Sequence, residues 1–333
     1  MQAPPAAPTE RRMLERAKAE TDPAHGKAPH ARSIEEHLRL GAVNLDKPAG
    51  PTSHQVVAWL KLALGLAKAG HGGTLDPNVT GVLPVALSDA TRVIRVLLEA
   101  PKEYVCVMET HEPVGAERLK KGLLEFRGPI YQTPPLKSAV KKQLRVRTIY
   151  DLKVMEAEDR RALYWVSCEA GTYIRKLCHD VGLVLGTTAH MRDLRRVKTG
   201  AFREHTSVTL HDLRDAFEFH KESGDETWLR RHVRPVEDLV AHLPRVVARD
   251  SAVDALCHGA SLAVPGVVAV EETLKRNELA AVFTLKGELV SVGPAQRDAG
   301  DIVKGDSGIA VKTDRVVMDP GTYPRGWSTK KSD

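Results

Sequence analysis

Apolar and polar residues in the first third of the chain follow patterns that predict strands, each followed by a helix. Residues 43–46 alternate as a short strand does, and either Thr52 or Ser53 can cap the helix that follows. An apolar run at 82–87 predicts another strand, after which Asp89 can cap a further helix. This order indicates a domain that combines sheet and helix.

The middle of the chain repeats this arrangement and positions two reactive side chains. In a predicted strand at 102–108, the period of two puts Tyr104 on the same face as the other even-numbered residues. A strand at 165–169 ends before Gly171, and a helix with an apolar stripe follows. Arg175 lies in the first turn of that helix, off the stripe. The pattern therefore predicts a tyrosine on a strand and an arginine at a helix start.

Both ends of the chain differ from this middle part. From about residue 244, short β-rich pieces separated by glycine turns predict a separate small barrel of about 75 residues. The first 35 or so residues are rich in alanine, proline and charge, so we expect them to be partly disordered or to lie over another surface. They should contribute little to the core.

Composition and charge narrow the class of protein. The 333 residues carry 49 Lys and Arg against 43 Asp and Glu, and the resulting net charge of +6 favours a polyanionic partner without requiring one. The four cysteines lie far apart, which predicts reduced thiols rather than a zinc ribbon or a disulfide framework. With no apolar run near the ~20 residues that span a bilayer and no secretory apolar region, we expect a cytoplasmic protein.

The candidate catalytic group is the carboxylate of Asp76 in the glycine-rich segment 70–77. Gly72 and Gly73 can adopt backbone conformations closed to other residues, and Pro77 restricts the chain just after the aspartate. Such a segment can be a rigid loop that presents a carboxylate. Taken by itself, it is more typical of an ordinary surface turn.

Several segments, taken in order, decide between these interpretations. They are 44–48 with 51–54, 70–77, 102–105, 132–135 with 138–141, and 171–175 continuing to 194–196. Together they resemble the TruB-type pseudouridine synthases, and most closely the archaeal and eukaryotic branch that works with box H/ACA guide RNAs, the dyskerin family. Residues 250–254 and 258–260 resemble the start of a PUA domain, and residues 322–327 resemble the end of dyskerin-branch proteins.

The resemblance implies an α+β fold, in which a mixed-sheet catalytic domain has helices and loops flanking a central cleft and a small β-barrel-like PUA domain follows. The implied boundaries are an N-terminal extension at 1–40, partly disordered or packed on the PUA domain, a catalytic domain at 41–243, a PUA RNA-binding domain at 244–327 and a tail at 328–333. Two positions depart from the family pattern: Gly72 replaces the usual Ser or Thr, and Lys137 replaces an apolar residue or arginine.

Resemblance to this family also assigns roles in catalysis. Asp76 would be the catalytic carboxylate, acting either as a nucleophile or as a base that generates a glycal, and both routes stay open. Arg175 would pair with Asp76 and keep it ionised and oriented. Tyr104 would stack on the target base, and its phenol could assist the final deprotonation of carbon 5. The chemistry implied needs no cofactor and no metal.

Further residues would bind the substrate. His71 would lie beside the flipped-out nucleotide, Lys47 would brace the catalytic loop, and Leu194 would form an apolar wall of the pocket. Tyr173 and Ile174 would support the pocket floor. The family's mobile thumb loop corresponds to a basic run that would contact RNA phosphates and consists of Lys137, Lys141, Lys142, Arg145 and Arg147.

The implied partners are a box H/ACA guide RNA, a substrate RNA and small proteins of the same particle. These proteins would be a zinc-ribbon-containing protein, a kink-turn-binding protein of ribosomal type and a small barrel protein, with no membrane involved. The implied activity is modification of rRNA, with tRNA as a further candidate substrate. A stand-alone tRNA pseudouridine synthase and a catalytically silent RNA-binding scaffold are the alternatives, and intact Asp76, Tyr104 and Arg175 count against the scaffold.

Overall fold

The computed structural model describes residues 11–133 and 143–325. The chain divides into two compact units, which are described separately below. The first contains Val43–Val85 and the described part of Arg95–Asp225, and the second contains Ala86–Ile94 and the described parts of Ala7–Ala42 and Glu226–Asp333.

Strands occur along the whole described chain. They are β1 (Met13–Glu15), β2 (Gly41–Lys47), β3 (Ala69–His71), β4 (Thr80–Leu87), β5 (Lys102–Thr110), β6 (Gly128–Gln132), β7 (Arg145–Ala157), β8 (Arg161–Cys168), β9 (Ala189–Thr199), β10 (Phe202–Arg203), β11 (Val233–Pro235), β12 (Arg245–Ala248), β13 (Leu262–Ala263), β14 (Val267–Glu271), β15 (Leu279–Phe283), β16 (Leu289–Pro294), β17 (Ile309–Val311) and β18 (Arg315–Val316).

Helices alternate with these strands. The α-helices are α1 (Ile34–Arg39), α2 (Ser53–Ala63), α3 (Val96–Glu99), α4 (Ala116–Leu124), α5 (Ile174–Val184), α6 (Leu210–Ser223), α7 (Thr227–His232), α8 (Asp250–Cys257) and α9 (Ala299–Lys304). Short 3-10 turns lie at Pro29–Ala31, Ser88–Val93, Glu204–Thr206, Val236–Val240 and Val264–Gly266.

A mixed sheet organises the first unit. Its strands follow the order β2, β4, β9, β5, β8, β7 and β6, with β3 attached to β4 and β10 to β9. β4 and β9 are parallel, whereas β5 is antiparallel to both β9 and β8. Alternate side chains of β5 are buried on one face of the sheet, as the period of two predicts.

The core beneath this sheet combines apolar side chains with buried thiols. Tyr164 of β8 is fully buried, and its hydroxyl oxygen lies 3.3 Å from Sγ of Cys178 in α5. Sγ of Cys178 lies 3.7 Å from Sγ of Cys106 in β5, and both thiols are free. Burial raises the pKa of the Tyr164 phenol. This contact packs α5, the helix that carries Arg175, against the sheet.

The second unit contains a six-stranded sheet in the order β1, β14, β12, β15, β16 and β18, and a two-stranded sheet formed by β13 and β17. Most neighbouring strands are antiparallel, but β12 and β15 are parallel. A core of small aliphatic side chains fills it, among them Val246, Val270, Val282 and Ile302. These strands and turns agree with the small barrel that the sequence predicts from about residue 244.

The N-terminal segment pairs with this second unit. Met13 lies opposite Glu271 in an antiparallel ladder between β1 and β14. Arg32 is 5% exposed, and its guanidinium donates two hydrogen bonds of 2.7 and 2.9 Å to the Glu237 carboxylate. Ser33 then caps α1 in a reciprocal arrangement with Glu36. These contacts order a segment whose composition alone predicts little structure.

Local helix signals were correct at one predicted cap and wrong at another. Thr52 caps α2 and accepts a hydrogen bond from the Gln55 amide. Asp89 does not cap a helix, because it lies within the 3-10 turn Ser88–Val93, and its carboxylate instead pairs with Arg39 at 2.6 Å. A distant ion pair has replaced the local cap at that position.

Candidate active site

The loop that carries Asp76 joins β3 to β4 and is held by neighbouring backbone and side chains. The Leu75 amide donates to Ser53 Oγ at 2.9 Å, and the same hydroxyl donates to the Leu75 carbonyl at 3.0 Å. The Val79 amide donates to the Asp76 carbonyl at 3.0 Å and closes a turn. The backbone on both sides of the aspartate is thereby restrained.

Lys47 at the end of β2 provides the strongest brace. Its side chain is fully buried, and Nζ donates to the carbonyl oxygens of Pro48 and Pro77 at 2.8 Å and of Val79 at 3.0 Å. These bonds use all three protons of the ammonium group. Burial lowers the pKa of Lys47, and the Asp76 carboxylate opposes this effect. The expected bracing role of Lys47 fits these contacts.

The side chain of Asp76 contacts Arg175. Arg175 lies in the first turn of α5, and its Nη2 donates to Oδ2 of Asp76. Each side chain is 54% exposed. An exposed pair of this kind adds little stability, about 0–1 kcal/mol. Its interest is therefore chemical, because it presents an oriented carboxylate to solvent.

Tyr104 lies on β5 with 9% exposure, directly opposite Arg196 of β9. Burial raises the pKa of its phenol and the charge of Asp76 adds to this, whereas Arg196 lowers it. Arg196 also donates to the Gly73 carbonyl, three residues before Asp76, so Tyr104 lies near the loop that carries the aspartate. The structure thus brings the tyrosine, the aspartate and Arg175 into the same region.

At the start of the same loop, His71 ends β3. Its ring meets that of His54 edge to face, with centroids 5.0 Å apart, and burial lowers the pKa of His71. The next residue, Gly72, departs from the family pattern, and its surroundings explain why. A β-carbon at Gly72 would lie 2.7 Å from Leu97 Cδ1, so Leu97 occupies the space that Ser or Thr would need.

The predicted pocket residues flank these groups. Gln132 clamps the start of α5, since its amide group donates to the Tyr173 carbonyl at 3.1 Å and accepts from the Tyr173 amide at 3.0 Å. Ile174 is 3% exposed. Leu194 is 7% exposed and lies opposite Cys106 across β9 and β5. Gln132 had no predicted role, and its contact joins two chain segments 41 residues apart.

The predicted basic run is described only in part. Arg147 of β7 donates to Glu169 Oε1 at 2.8 Å, so its charge is neutralised within the protein. Arg145 begins the same strand opposite Gln132. The other members lie outside the described residues and are Lys137, Lys141 and Lys142.

Arg196 is a second residue to which the sequence analysis gave no role. It is 1% exposed, and its guanidinium donates to the carbonyls of Val82 at 2.7 Å and Gly73 at 3.1 Å. Its charge also favours ionisation of the Tyr104 phenol, against the larger effect of burial. Because the period of two puts Arg192 and Lys198 on the same predicted strand face, the sequence pattern does not single out Arg196.

This arrangement can support chemistry of a carboxylate at a sugar or a base. Asp76 offers an exposed oxygen, Arg175 a cation that orients it, and Tyr104 a buried phenol. These groups suit either nucleophilic attack or removal of a proton.

Family comparisons identify the protein class. Residues 61–174 match the family described as TruB family pseudouridylate synthase (N terminal domain), and residues 175–241 match the tRNA pseudouridylate synthase B C-terminal domain. The chain belongs to the TruB family of pseudouridine synthases. A PUA domain matches residues 244–317 and a DKCLD (NUC011) domain matches residues 7–57 of this TruB-family chain.

Individual relatives agree with this family assignment. The probable tRNA pseudouridine synthase B of Methanopyrus kandleri is 54% identical over 96% of this chain and 95% of its own length. A solved Cbf5-Nop10-Gar1 complex contains a chain that is 50% identical, with a TM-score of 0.91 and coverage of 95% of this chain and 97% of that one. An H/ACA RNP bound to a substrate RNA containing 2′-deoxyuridine gives 48% identity, a TM-score of 0.90 and coverage of 96% and 98%.

These findings confirm the resemblance drawn from the sequence segments and the expected α+β fold with a PUA domain. The TruB-family protein is a pseudouridine synthase. Within residues 11–133 and 143–325, no helix combines the length and apolar character needed to cross a membrane.

Proposed function

We propose that Asp76 is the catalytic carboxylate of this pseudouridine synthase and that the protein works as the catalytic subunit of a box H/ACA guide ribonucleoprotein. The observation that carries the catalytic part is the solvent-exposed contact between Asp76 and Arg175. A cation kept beside an exposed carboxylate, on a loop braced by Lys47, has little structural benefit and a clear chemical one.

The reaction isomerises uridine without changing its composition. The bond between C1′ and N1 breaks, the uracil rotates, and C5 becomes bonded to C1′. Asp76 would attack as a nucleophile or remove the proton from C2′, and Arg175 would orient its carboxylate. Tyr104 would stack on the uracil and receive the proton that finally leaves C5.

The remaining site residues would handle the extruded nucleotide. A uridine in a duplex must leave its stack before C1′ and C5 can be reached, at a cost of a few kcal/mol. His71 would support the extruded conformation, and Leu194 with Tyr173 and Ile174 would enclose the base. Phosphate contacts would come from the thumb residues Lys137, Lys141, Lys142 and Arg145.

Guide dependence is supported by the solved relatives. They are described as an H/ACA RNP bound to substrate RNA and as complexes of Cbf5 with Nop10 and Gar1. By the same reasoning, small proteins of that kind and a guide RNA are the partners of this chain. The PUA domain would hold the guide by backbone and shape, and base pairing with the guide would select the target uridine in rRNA.

A second function is favoured by a separate observation. Relatives above 50% identity carry the name probable tRNA pseudouridine synthase B. Activity on tRNA without a guide is therefore the alternative mode for the same catalytic site.

One comparison tests these proposals together. Tritium release from C5-labelled uridine is measured with the purified protein alone, and with a guide RNA and the small partner proteins, on guide-matched RNA, mismatched RNA and tRNA transcripts. We expect release from matched RNA only in the complete particle, and none with Asp76→Asn at unchanged RNA affinity. Equal release from mismatched RNA would refute guide dependence, and turnover by Asp76→Asn would refute the catalytic assignment.

A further inference from the structure

Arg196 carries a charge in a place where charge is costly. Its side chain is 1% exposed in the middle of β9, and none of the described carboxylates lies within ion-pair distance of its guanidinium. Burying a guanidinium without a counter-ion is unfavourable unless other groups compensate. Such a residue needs a reason beyond packing, since an aliphatic side chain would fill a similar volume at less cost.

The compensating contacts all come from elements of the candidate site. Nε donates to the Val82 carbonyl of β4 at 2.7 Å, and Nη2 donates to the Gly73 carbonyl at 3.1 Å, three residues before Asp76. Arg196 also lies directly opposite Tyr104 of β5 in the antiparallel ladder, and its charge favours ionisation of the phenol. Arg196 therefore connects the catalytic loop to the strand that carries the tyrosine.

The backbone around Arg196 is shaped for this close approach. Gly81 of β4 lies opposite Arg196 in the parallel ladder, and a β-carbon at Gly81 would lie 2.2 Å from the Arg196 carbonyl oxygen. Gly73 has a φ of +134°, which other residues rarely adopt, and this conformation directs its carbonyl to the guanidinium. Gly81 thus allows the backbone of Arg196 to approach closely, and Gly73 provides a carbonyl for its guanidinium.

The phenol of Tyr104 lies in a field of mixed sign. Burial, the largest effect, and the Asp76 carboxylate oppose ionisation of the phenol, whereas Arg196 of β9 favours it. The Lys102 ammonium, on the same face of β5, adds positive charge close to Arg196 and is held by the carbonyls of Leu97 and Leu98 at 2.9 Å. Arg196 is the cation that lies opposite Tyr104 in the ladder between β9 and β5.

We propose that Arg196 is a positioning residue for pseudouridine formation, which holds the Tyr104 phenol oxygen in register with the Asp76 loop and makes that oxygen a better acceptor for the C5 proton. This inference depends on the catalytic assignments proposed above. In the step concerned, the C5–H bond breaks and its electron pair restores the C5=C6 double bond. The phenol oxygen accepts that proton as its own hydroxyl proton passes to solvent, and N1 takes one from solvent, so the base keeps its composition.

A double-mutant cycle tests the coupling between the two residues. Single-turnover rates are measured for Arg196→Gln and Tyr104→Phe, alone and combined, together with RNA affinity and melting temperature. In the wild-type background, we expect Arg196→Gln to slow the reaction on the order of 10²-fold and to leave RNA affinity within about threefold. In the Tyr104→Phe background, the same substitution should slow the reaction less than about threefold. Additive losses would overturn the proposal, because a purely structural arginine would weaken both backgrounds equally.

Two controls keep the result interpretable. Arg195→Gln alters the neighbouring arginine, which pairs with Asp46 at 3.0 Å from the other face of β9, and it should leave the rate within about threefold. Arg196→Lys keeps the charge and replaces Arg196→Gln in the cycle if the latter does not fold. With lysine, a loss at least fivefold larger in the Tyr104 background than in the Tyr104→Phe background supports coupling, and any smaller difference overturns it.

A direct titration tests the electrostatic part without using activity. Difluorotyrosine, whose phenol ionises near neutral pH, is incorporated at position 104 and its absorbance is followed with pH. Loss of the positive charge in Arg196→Gln should move the midpoint upward by one pH unit or more, because the ionised form loses its cation. Equal midpoints with and without the arginine would overturn the electrostatic part of the role. Turnover by Asp76→Asn would instead show that the underlying function is misassigned.

Discussion

Nζ of Lys47 lies 2.8 Å from the carbonyl oxygen of Pro77, the residue that follows Asp76. The ammonium also binds the carbonyls of Pro48 and Val79, so one side chain ties the end of β2 to both ends of the turn that presents the carboxylate. The lysine does this from a fully buried position. The geometry of the catalytic loop therefore depends on a residue that does not itself react.

Replacing Lys47 with methionine should reduce both stability and turnover. Three carbonyls would lose a charged donor, which lowers the free energy of unfolding by roughly 2–4 kcal/mol. Because the loop would no longer hold Asp76 accurately, single-turnover rates should fall on the order of 10- to 100-fold. The exposed Lys68→Met is the matched control. Unchanged turnover in a folded Lys47→Met protein would show that the loop keeps its geometry without the brace.

Replacing Arg175 with methionine should separate activity from stability. The Arg175–Asp76 pair is half exposed, so its loss should change the free energy of unfolding by only about 0–1 kcal/mol. Turnover should fall on the order of 10²-fold, since the carboxylate loses the cation that orients it. Lys176→Met removes a surface ion pair with Asp180 from the same helix and should leave turnover unchanged. Similar kinetics for the two variants would remove Arg175 from the mechanism.

Hydrophobic periodicity was sufficient to predict the positions of residues whose determining contacts are close in sequence. The period of two placed Tyr104 on the buried face of β5, and the apolar stripe placed Arg175 in the first turn of α5. The capping signal at Thr52 was likewise correct, because its hydrogen-bond partner Gln55 lies three residues away. In each case, the determining contacts lie within a few residues of the position.

The contacts of residues held by distant partners could not be predicted from the sequence. Arg196 meets the Gly73 carbonyl 123 positions away, and Gln132 meets Tyr173 41 positions away. Neither partner could be paired with its residue before the strand order was known. The cap predicted at Asp89 was wrong for the same reason, since Arg39, from an earlier segment, pairs with the carboxylate that was expected to cap a helix. Family resemblance supplied candidate roles, but not the contacts that hold these residues.

Lys102 should make the free energy of unfolding depend on pH in the alkaline range. Its ammonium donates to the carbonyls of Leu97, Leu98 and Ala100, and burial lowers its pKa to about 8. An unfolded lysine titrates near 10.4. Between these values the unfolded chain binds more protons than the folded one, so the contribution of Lys102 to stability rises with pH in that window and is constant below it.

The comparison of wild type with Lys102→Met isolates this effect from other titrating groups. The difference in free energy of unfolding, measured by urea titration from pH 7 to 10.5, should shift in favour of the wild type by up to roughly 3 kcal/mol above pH 8. Lys68→Met provides a variant of an exposed lysine under the same conditions. A difference that stays flat or declines with pH would contradict a buried, charged Lys102.

Lys286 gathers the N-terminal segment within the second unit. Its ammonium donates to the carbonyls of Asp22 at 2.8 Å and Gly26 at 3.3 Å, and also to that of His25. Beside it, the buried Tyr323 occupies the space where a side chain at Gly26 would lie. A single cation thus replaces the hydrogen bonds that a regular strand or helix would give this stretch.

Replacing Lys286 with methionine should release residues 22–26 without unfolding the second unit. The amide of Asp22 is protected by Asp250 and that of His25 by the Asp22 carbonyl, so both should exchange with solvent about 10- to 100-fold faster. Amides of β1 should keep their protection, because the ladder with β14 remains. Lys275→Met, an exposed lysine of the same unit, is the control for hydrogen exchange followed by mass spectrometry. Unchanged exchange at Asp22 and His25 would mean that the segment is held by its other contacts, and that the lysine contributes only charge.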